Sequence, residues 1–209
     1  AFKKQSEALG IVYTPVEIVD FILRAADDVS KKHFGKGLTD EGVCILDPFA
    51  GTSTFTVRLL QSGLIKPEDL ARKYANELFA TEIMLLAYYV SAVNIETTYN
   101  ALREEAALRN GEPAPEYVPF TNIALADTFQ IHEEGDIPDL NIFRENNETI
   151  ERQKKAPINV VIGNPPYSAG QKSANDLNAN LKYPSLDKRI AETYAAKSTA
   201  TNKNSLYDS

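Results

Sequence analysis

Four short apolar runs, each closed by an acid or an amide, constrain this chain more than any other feature. They are Val43-Cys44-Ile45-Leu46 before Asp47, Leu78-Phe79-Ala80 before Thr81-Glu82, Ile123-Ala124-Leu125-Ala126 before Asp127, and Val160-Val161-Ile162-Gly163 before Asn164. Apolar runs of this length read as buried strands. The segments between them carry helical periodicity, and strands alternating with helices imply right-handed βαβ units. The expected fold is therefore α/β, with a doubly wound, mostly parallel sheet. In such sheets ligands bind outside the carboxyl ends of the strands. Asp47, Glu82, Asp127 and Asn164 should then share one rim, and four polar strand ends in succession make coincidence a poor account of them.

The helices follow from caps and periodicity. Thr14-Pro15-Val16-Glu17 reads as a helix start, with Thr14 capping, Pro15 in the first helical position and Glu17 completing a capping box. Val19, Ile22, Leu23 and Ala26 recur at helical spacing, and the helix should end before Gly35-Lys36-Gly37. Thr52 to Leu60 is the second expected helix, with Phe55 and Leu59 on one face and Gly63 as its stop. A long helix should run from Ile83 to about Arg109, its apolar face formed by Leu85, Tyr88, Tyr89, Ala92 and Ile95. A polar helix is expected from about Leu140 to Arg152. Ser168 to Leu186 has no clear period and reads as a mobile loop, and Asp187 to Lys197 as a further helix.

Composition bounds the functional classes. The chain has 209 residues, 43% hydrophobic and 24% charged, ordinary for a globular domain. No apolar run approaches the roughly 20 residues that cross a bilayer, and the polar start Ala1-Phe2-Lys3-Lys4-Gln5 is unlike a secretory signal. One cysteine, Cys44, and two histidines far apart leave no internal disulfide and argue against a metal site, so a reducing cytoplasm is the expected compartment. The net charge of −7 argues against a complete nucleic-acid-binding protein, which needs clustered Lys and Arg. Starting with Ala1 and ending without a helix stop signal, the chain reads as a piece of a longer polypeptide.

Each strand end suggests its own chemistry. Asp47-Pro48-Phe49-Ala50-Gly51-Thr52-Ser53-Thr54-Phe55 is a strand–turn–helix junction with small residues at the bend, which lets a backbone approach a ligand. The G-x-G-x-x-G spacing of a pyrophosphate turn is absent, and Asp47 would repel phosphate. It suits a cationic ligand with an amine, such as S-adenosylmethionine. Glu82 can accept both hydroxyl hydrogens of a ribose. Asp127 can accept from an exocyclic adenine amine, with Phe129 and Ile83 sandwiching the ring. The plainer readings are an ordinary βα turn for the first segment and core packing for Phe129 and Ile83.

Asn164-Pro165-Pro166-Tyr167 carries the most specific chemistry. The exocyclic amine of adenine is a poor nucleophile because its lone pair is delocalised into the ring. The Asn164 side-chain oxygen and the Pro165 carbonyl can accept its two N–H hydrogens, which localises the lone pair for in-line attack on a sulfonium methyl. The gain comes from positioning and oriented dipoles rather than from a strong base. Proline has a fixed φ and no competing N–H. Tyr167 can stack on the target base, which would have to be flipped out of a duplex. The plainer reading is a polyproline-like turn or a short recognition peptide.

Together these residues resemble the amino-group DNA methyltransferases of the adenine-N6 type, over about Gly10 to Tyr167. The resemblance implies a Rossmann-like S-adenosylmethionine-dependent methyltransferase fold, here C-terminally incomplete. It implies that Tyr13, Thr14 and Pro15 touch the methionine part of the cofactor, and that Asp47, Pro48, Phe49, Ala50, Gly51 and Thr52 form the cofactor loop. Glu82 becomes the ribose acid with Ile83 beside it, and Asp127, Thr128 and Phe129 the adenine-binding segment. Asn164, Pro165, Pro166 and Tyr167 become the catalytic tetrapeptide. One departure stands out: the loop usually reads Gly-Thr-Gly, and here it reads Gly51-Thr52-Ser53. Cofactor binding is expected to survive a residue as small as serine, with a less close backbone approach.

On this reading residues 1–40 are an N-terminal helical segment packing on the cofactor site, 41–167 the cofactor-binding and catalytic core, and 168–209 a mobile loop and the start of a further helix. The stretch after Tyr167 is too short for the remaining strands and the target-recognition domain that the family requires, so those should lie in further domains of the same polypeptide. The spacing and the segment Thr193 to Asp208 are also similar to the methylase part of single-polypeptide restriction–modification enzymes that carry a helicase and a nuclease. Asn-Pro-Pro-Tyr occurs as well in glutamine-N5 methyltransferases and in guanine-N2 RNA enzymes. The capped helix ahead of the first strand favours the DNA group by resemblance. A non-catalytic cofactor-binding module is the alternative of another class, against which Asn164 and Tyr167 speak.

Overall fold

The computed structural model describes residues 14–131, 133, 144–165 and 183–199. Among them the expected alternation is present. Strand β1 (Cys44–Asp47) is followed by helix α2 (Thr54–Gln61), and β2 (Leu78–Glu82) by α4 (Leu85–Asn110). β3 (Ile123–Leu125) is followed by α5 (Arg144–Lys155), which leads into β4 (Ile158–Val161). Helix α1 (Val16–Phe34) precedes the sheet and α6 (Pro184–Ile190) follows it, continuing as a π turn over Ala191–Ala195. All strand pairings are parallel, in the order β3-β2-β1-β4. The protein is thus α/β with a parallel, Rossmann-like sheet.

This order fixes the layers. From β1 the chain steps outward to β2 and β3, then returns across the sheet to β4. Right-handed connections put α2 and α4 on one face and α5 on the other. α1 packs on α2, and α2 on α4. Val19, Leu23, Phe55, Leu59, Ile95 and Tyr99 of these helices close over Ile45, Leu78, Ala80 and Ile123. From the opposite side Gln153 of α5 reaches across β2, accepting from Thr81 Oγ1 at 3.0 Å and donating to the Ala80 carbonyl at 3.2 Å. The strand order reverses between β1 and β4, so the crevice that such sheets use for ligands opens at the ends of those two strands.

Several expectations need correction. α1 begins at Val16 with Pro15 as its N-cap, and no side chain caps it; the Thr14–Glu17 capping box does not form, because Thr14 lies one residue ahead of the cap position and its hydroxyl meets Asn164. Among the described residues β4 is the outermost strand beside β1, and Val161 is 65% exposed there. Its pairing with β1 slips between Cys44 and Ile45, where Asn159 Oδ1 accepts the Cys44 N–H at 2.8 Å. The buried face of α4 carries Ser91, Ile95 and Tyr99, leaving Leu85 and Tyr89 more than half exposed. The described part of the polar helix runs from Arg144 to Lys155, three residues past the expected end at Arg152, and residues 140–143 lie outside the described residues. The last helix starts at Pro184, so Pro184 to Leu186 are helical and not part of a loop; residues 168–182 lie outside the described residues.

One element has no counterpart in the sequence reading. A 3₁₀ turn (Pro67–Asp69) passes through α3 (Leu70–Arg72) into a π turn (Lys73–Glu77) that enters β2 directly. Its pin is Lys73, fully buried, whose ammonium donates to the carbonyls of Leu38, Asp40 and Val43 at 2.9–3.0 Å and pairs with Glu77 at 2.7 Å. A buried cation is tolerated because its hydrogens find acceptors.

Candidate active site at the strand ends

Asp47 closes β1 and is 2% exposed. Its Oδ1 accepts the Phe49 N–H at 3.2 Å. Oδ2 is buried and has no hydrogen-bond partner among the described residues. Burial pushes the carboxyl up to about 7; the Phe49 N–H opposes this and the charge of Glu82 adds to it. The chain leaving β4 presses against the same group. A Cβ on Gly163 would come within 2.6 Å of Asp47 Oδ1, so only glycine lets the backbone pass. A glycine at a strand end marks such an approach, a signal in the sequence that the strand assignment alone passed over.

The loop after Asp47 is tied to β2 and α4. Ala50 N–H donates to the Thr81 carbonyl at 2.9 Å and Gly51 N–H to Glu82 Oε2 at 2.7 Å. Asn94 Nδ2 donates to the Thr52 carbonyl at 3.0 Å. Gly51 has φ +55, and a Cβ there would meet nothing within 4 Å. The loop is therefore open on that side and bends there at a residue with little cost for positive φ. Ser53, which replaces the usual second glycine, is the one non-glycine residue at positive φ among the described residues, at φ 62. It is fully buried, and its hydroxyl shares a hydrogen bond with Ser91 of α4.

Glu82 spends both oxygens on backbone, Oε2 on Gly51 and Oε1 on Met84 N–H at 2.8 Å. A carboxylate oxygen has a second acceptor position, so these bonds orient the group while leaving it able to accept more. Ile83, next to it, is 44% exposed.

The loop after β3 reaches back to the loop after β1. The Thr128 hydroxyl donates to the Pro48 carbonyl, and the Phe129 ring lies 5.3 Å from that of Phe49. Asp127 Oδ1 accepts the Phe129 N–H at 2.9 Å. Its Oδ2 accepts the Tyr183 hydroxyl at 2.7 Å, and the Tyr183 ring stands 5.6 Å from Phe129. Both oxygens of Glu133 receive the first backbone N–H groups of α6, from Ser185 and Leu186, at 2.9 Å each. Tyr183 and Glu133 were not foreseen, since nothing local in the sequence joins them to Asp127.

Asn164 follows Gly163, and its Nδ2 donates to Thr14 Oγ1 at 3.1 Å. Pro165 after it is exposed. Tyr13, Pro166 and Tyr167 lie outside the described residues. The strand ends thus form one rim, linked from Thr14 through Asn164, Gly163 and Asp47 to Glu82, and from Pro48 and Phe49 to Thr128, Phe129 and Asp127.

Neither a family model nor a curated protein matches the chain. Solved structures do. The ATP-dependent Type ISP restriction-modification enzyme LlaBIII, bound to DNA, is 45% identical with a TM-score of 0.80, over 95% of this chain and 13% of that one. A nuclease-deletion mutant of the Type ISP restriction-modification enzyme LlaGI, in complex with a DNA substrate mimic, is 44% identical with a TM-score of 0.80, over 100% of this chain and 18% of that one. The DrdV–DNA complex is 41% identical with a TM-score of 0.74, over 95% of this chain and 18% of that one. The chain therefore spans less than a fifth of the length of each.

Proposed function

We propose that this chain is the methyl-transferring part of a DNA adenine-N6 methyltransferase, carried in a larger restriction–modification polypeptide. The observation that carries the reading is the junction of Gly163-Asn164 with Asp47. A buried carboxylate with an orphaned oxygen lies against the backbone that presents the Asn164 carboxamide and the Pro165 carbonyl.

The residues present fit S-adenosylmethionine. Asp47 Oδ2 lacks a donor among the described residues, and an ammonium is the partner a buried carboxylate needs. Gly51 leaves the loop open beside Glu82, whose remaining acceptor positions suit ribose hydroxyls. Asp127 and Phe129 combine an acceptor with an aromatic ring, a pair that suits adenine. When bound, the cofactor supplies an electrophilic methyl on a sulfonium. The task of the chain is then to hold the amine: Asn164 and Pro165 offer two carbonyl oxygens to its two N–H groups, drawing the nitrogen toward tetrahedral geometry. Proline at 165 removes a donor that would compete for them. DNA is favoured over RNA or a glutamine side chain because the similar structures, at 41–45% identity, are DNA complexes.

Transfer of tritiated methyl groups to duplex DNA, RNA and a glutamine-bearing peptide tests the reading in the polypeptide that carries this chain. Signal is expected on DNA, lost by roughly a hundredfold or more in Asn164→Ala, with calorimetric cofactor affinity retained. Signal on peptide alone would sink the DNA assignment. Cofactor binding without transfer to any substrate would favour the non-catalytic module.

A further inference from the structure

Thr14 stands where a helix cap belongs and does not act as one. The pattern Thr14-Pro15-Val16-Glu17 is a capping box by sequence, yet α1 has no side-chain cap. Its first turn is closed by the Pro15 carbonyl, which accepts the Ile18 and Val19 N–H groups at 3.0 and 3.1 Å. The Thr14 hydroxyl accepts instead from Asn164 Nδ2, 150 residues away in sequence.

Both ends of this bond are rigidly held. Val19 and Leu23 bury α1 against the core at 0% and 1% exposure, and Pro15 fixes the entry to the helix at φ −55. On the other side the Ile162 N–H pairs with the Leu46 carbonyl at 2.9 Å, and Gly163 is pressed on Asp47. Asn164 therefore meets Thr14 from a backbone tied to β1 and seated against Asp47.

A carboxamide is two-ended: one side donates and the other accepts. The chemistry proposed above uses only the accepting side, because the target amine offers N–H groups. We infer that Thr14 is a positioning residue for Asn164, holding the amide nitrogen toward α1 so that Oδ1 is turned the other way as the acceptor. This differs from the cofactor contact that the family resemblance implies for Thr14, and it rests on the methyl-transfer reading. On this inference Thr14 acts through Asn164.

Three variants test this in the polypeptide that carries the chain. Thr14→Val keeps the shape and removes the hydroxyl, Thr14→Ser keeps the hydroxyl, and Asn164→Ala removes the partner. Thr14→Val is expected to lower kcat about tenfold, the worth of one hydrogen bond in orientation. Its calorimetric Kd for S-adenosylmethionine should stay within about twofold of wild type, and Thr14→Ser should recover most of kcat. In the Asn164→Ala background Thr14→Val should cost nothing further. A raised cofactor Kd with unchanged kcat would overturn the inference and make Thr14 a cofactor contact. Equal losses in the Asn164→Ala background would overturn it too. If wild type methylates no substrate, the methyl-transfer reading fails by itself. The Asn164 side-chain NH2 resonances then decide the geometry: they should shift in Thr14→Val and return in Thr14→Ser, and unchanged signals would refute the bond.

Discussion

Asp47 is where burial and charge conflict. Its folded-state pKa of about 7 lies above the ordinary value of 3.8. Between those pH values the folded chain holds a proton that the unfolded chain has lost, so stability falls as pH rises from about 4 to about 7 and is flat beyond. Asp47→Asn removes the conflict. Its stability relative to wild type should be near zero below pH 4, grow through the window and reach at most about 4 kcal/mol above it. Thermal melts at pH 5 and pH 8 check this, and an equal gap at both would refute it. Ser53 poses a second conflict, a left-handed backbone at a residue with a Cβ, which costs roughly 1–2 kcal/mol. The bond to Ser91 offsets it. Ser53→Gly alone should be close to neutral, because it relieves strain but orphans the buried Ser91 hydroxyl. Ser53→Gly with Ser91→Ala should be more stable than wild type by about 1 kcal/mol. Urea denaturation measures both, and a double variant no more stable than Ser53→Gly would contradict the account.

The link from α6 to the loop after β3 runs through four contacts. Tyr183 bonds Asp127 and packs on Phe129, while Glu133 holds the N–H groups of Ser185 and Leu186. On the proposed function Asp127 is also the acceptor for the adenine amine of the cofactor, and with one bond already on each oxygen the phenol reduces the acceptor strength left for the purine. Tyr183→Phe keeps the ring and removes the donor. It should bind S-adenosylmethionine roughly three- to tenfold more tightly by calorimetry, the worth of one hydrogen bond to a carboxylate after water has replaced it. Weaker binding would mean that the phenol supports the site instead. The helical turn of Lys73 shows why such links escape a reading along the chain. Pro67-Glu68-Asp69 is a start signal, with proline ahead of two acids, but a lysine reads as surface until three carbonyls from residues 38–43 enclose it.

At the level of the whole chain, charge bears on the proposed function. With a net charge of −7, the 209 residues lack the cationic excess that releases counterions from DNA. Anisotropy titration of this chain alone with duplex DNA at about 150 mM salt should give a Kd no tighter than roughly 10⁻⁴ M, the weak end of non-specific binding. Tight binding with a steep salt dependence would contradict it. The similar structures place this fold in 13–18% of much longer chains.

The alternation of strands and helices, the parallel sheet and the polar strand ends were legible in the chain because each rests on short-range rules: apolar runs, caps, and the handedness of βαβ units. Asp47, Glu82, Asp127 and Asn164 could be named as a rim for the same reason. Tertiary structure alone decided what each rim residue touches. It turned Thr14 from its own helix to Asn164, gave Asp127 to Tyr183, and left Asp47 Oδ2 without a partner among the described residues. A cap, a carboxylate and a hydroxyl each have several partners of similar free energy, and the choice among them falls to whichever side chain packing brings within about 3 Å.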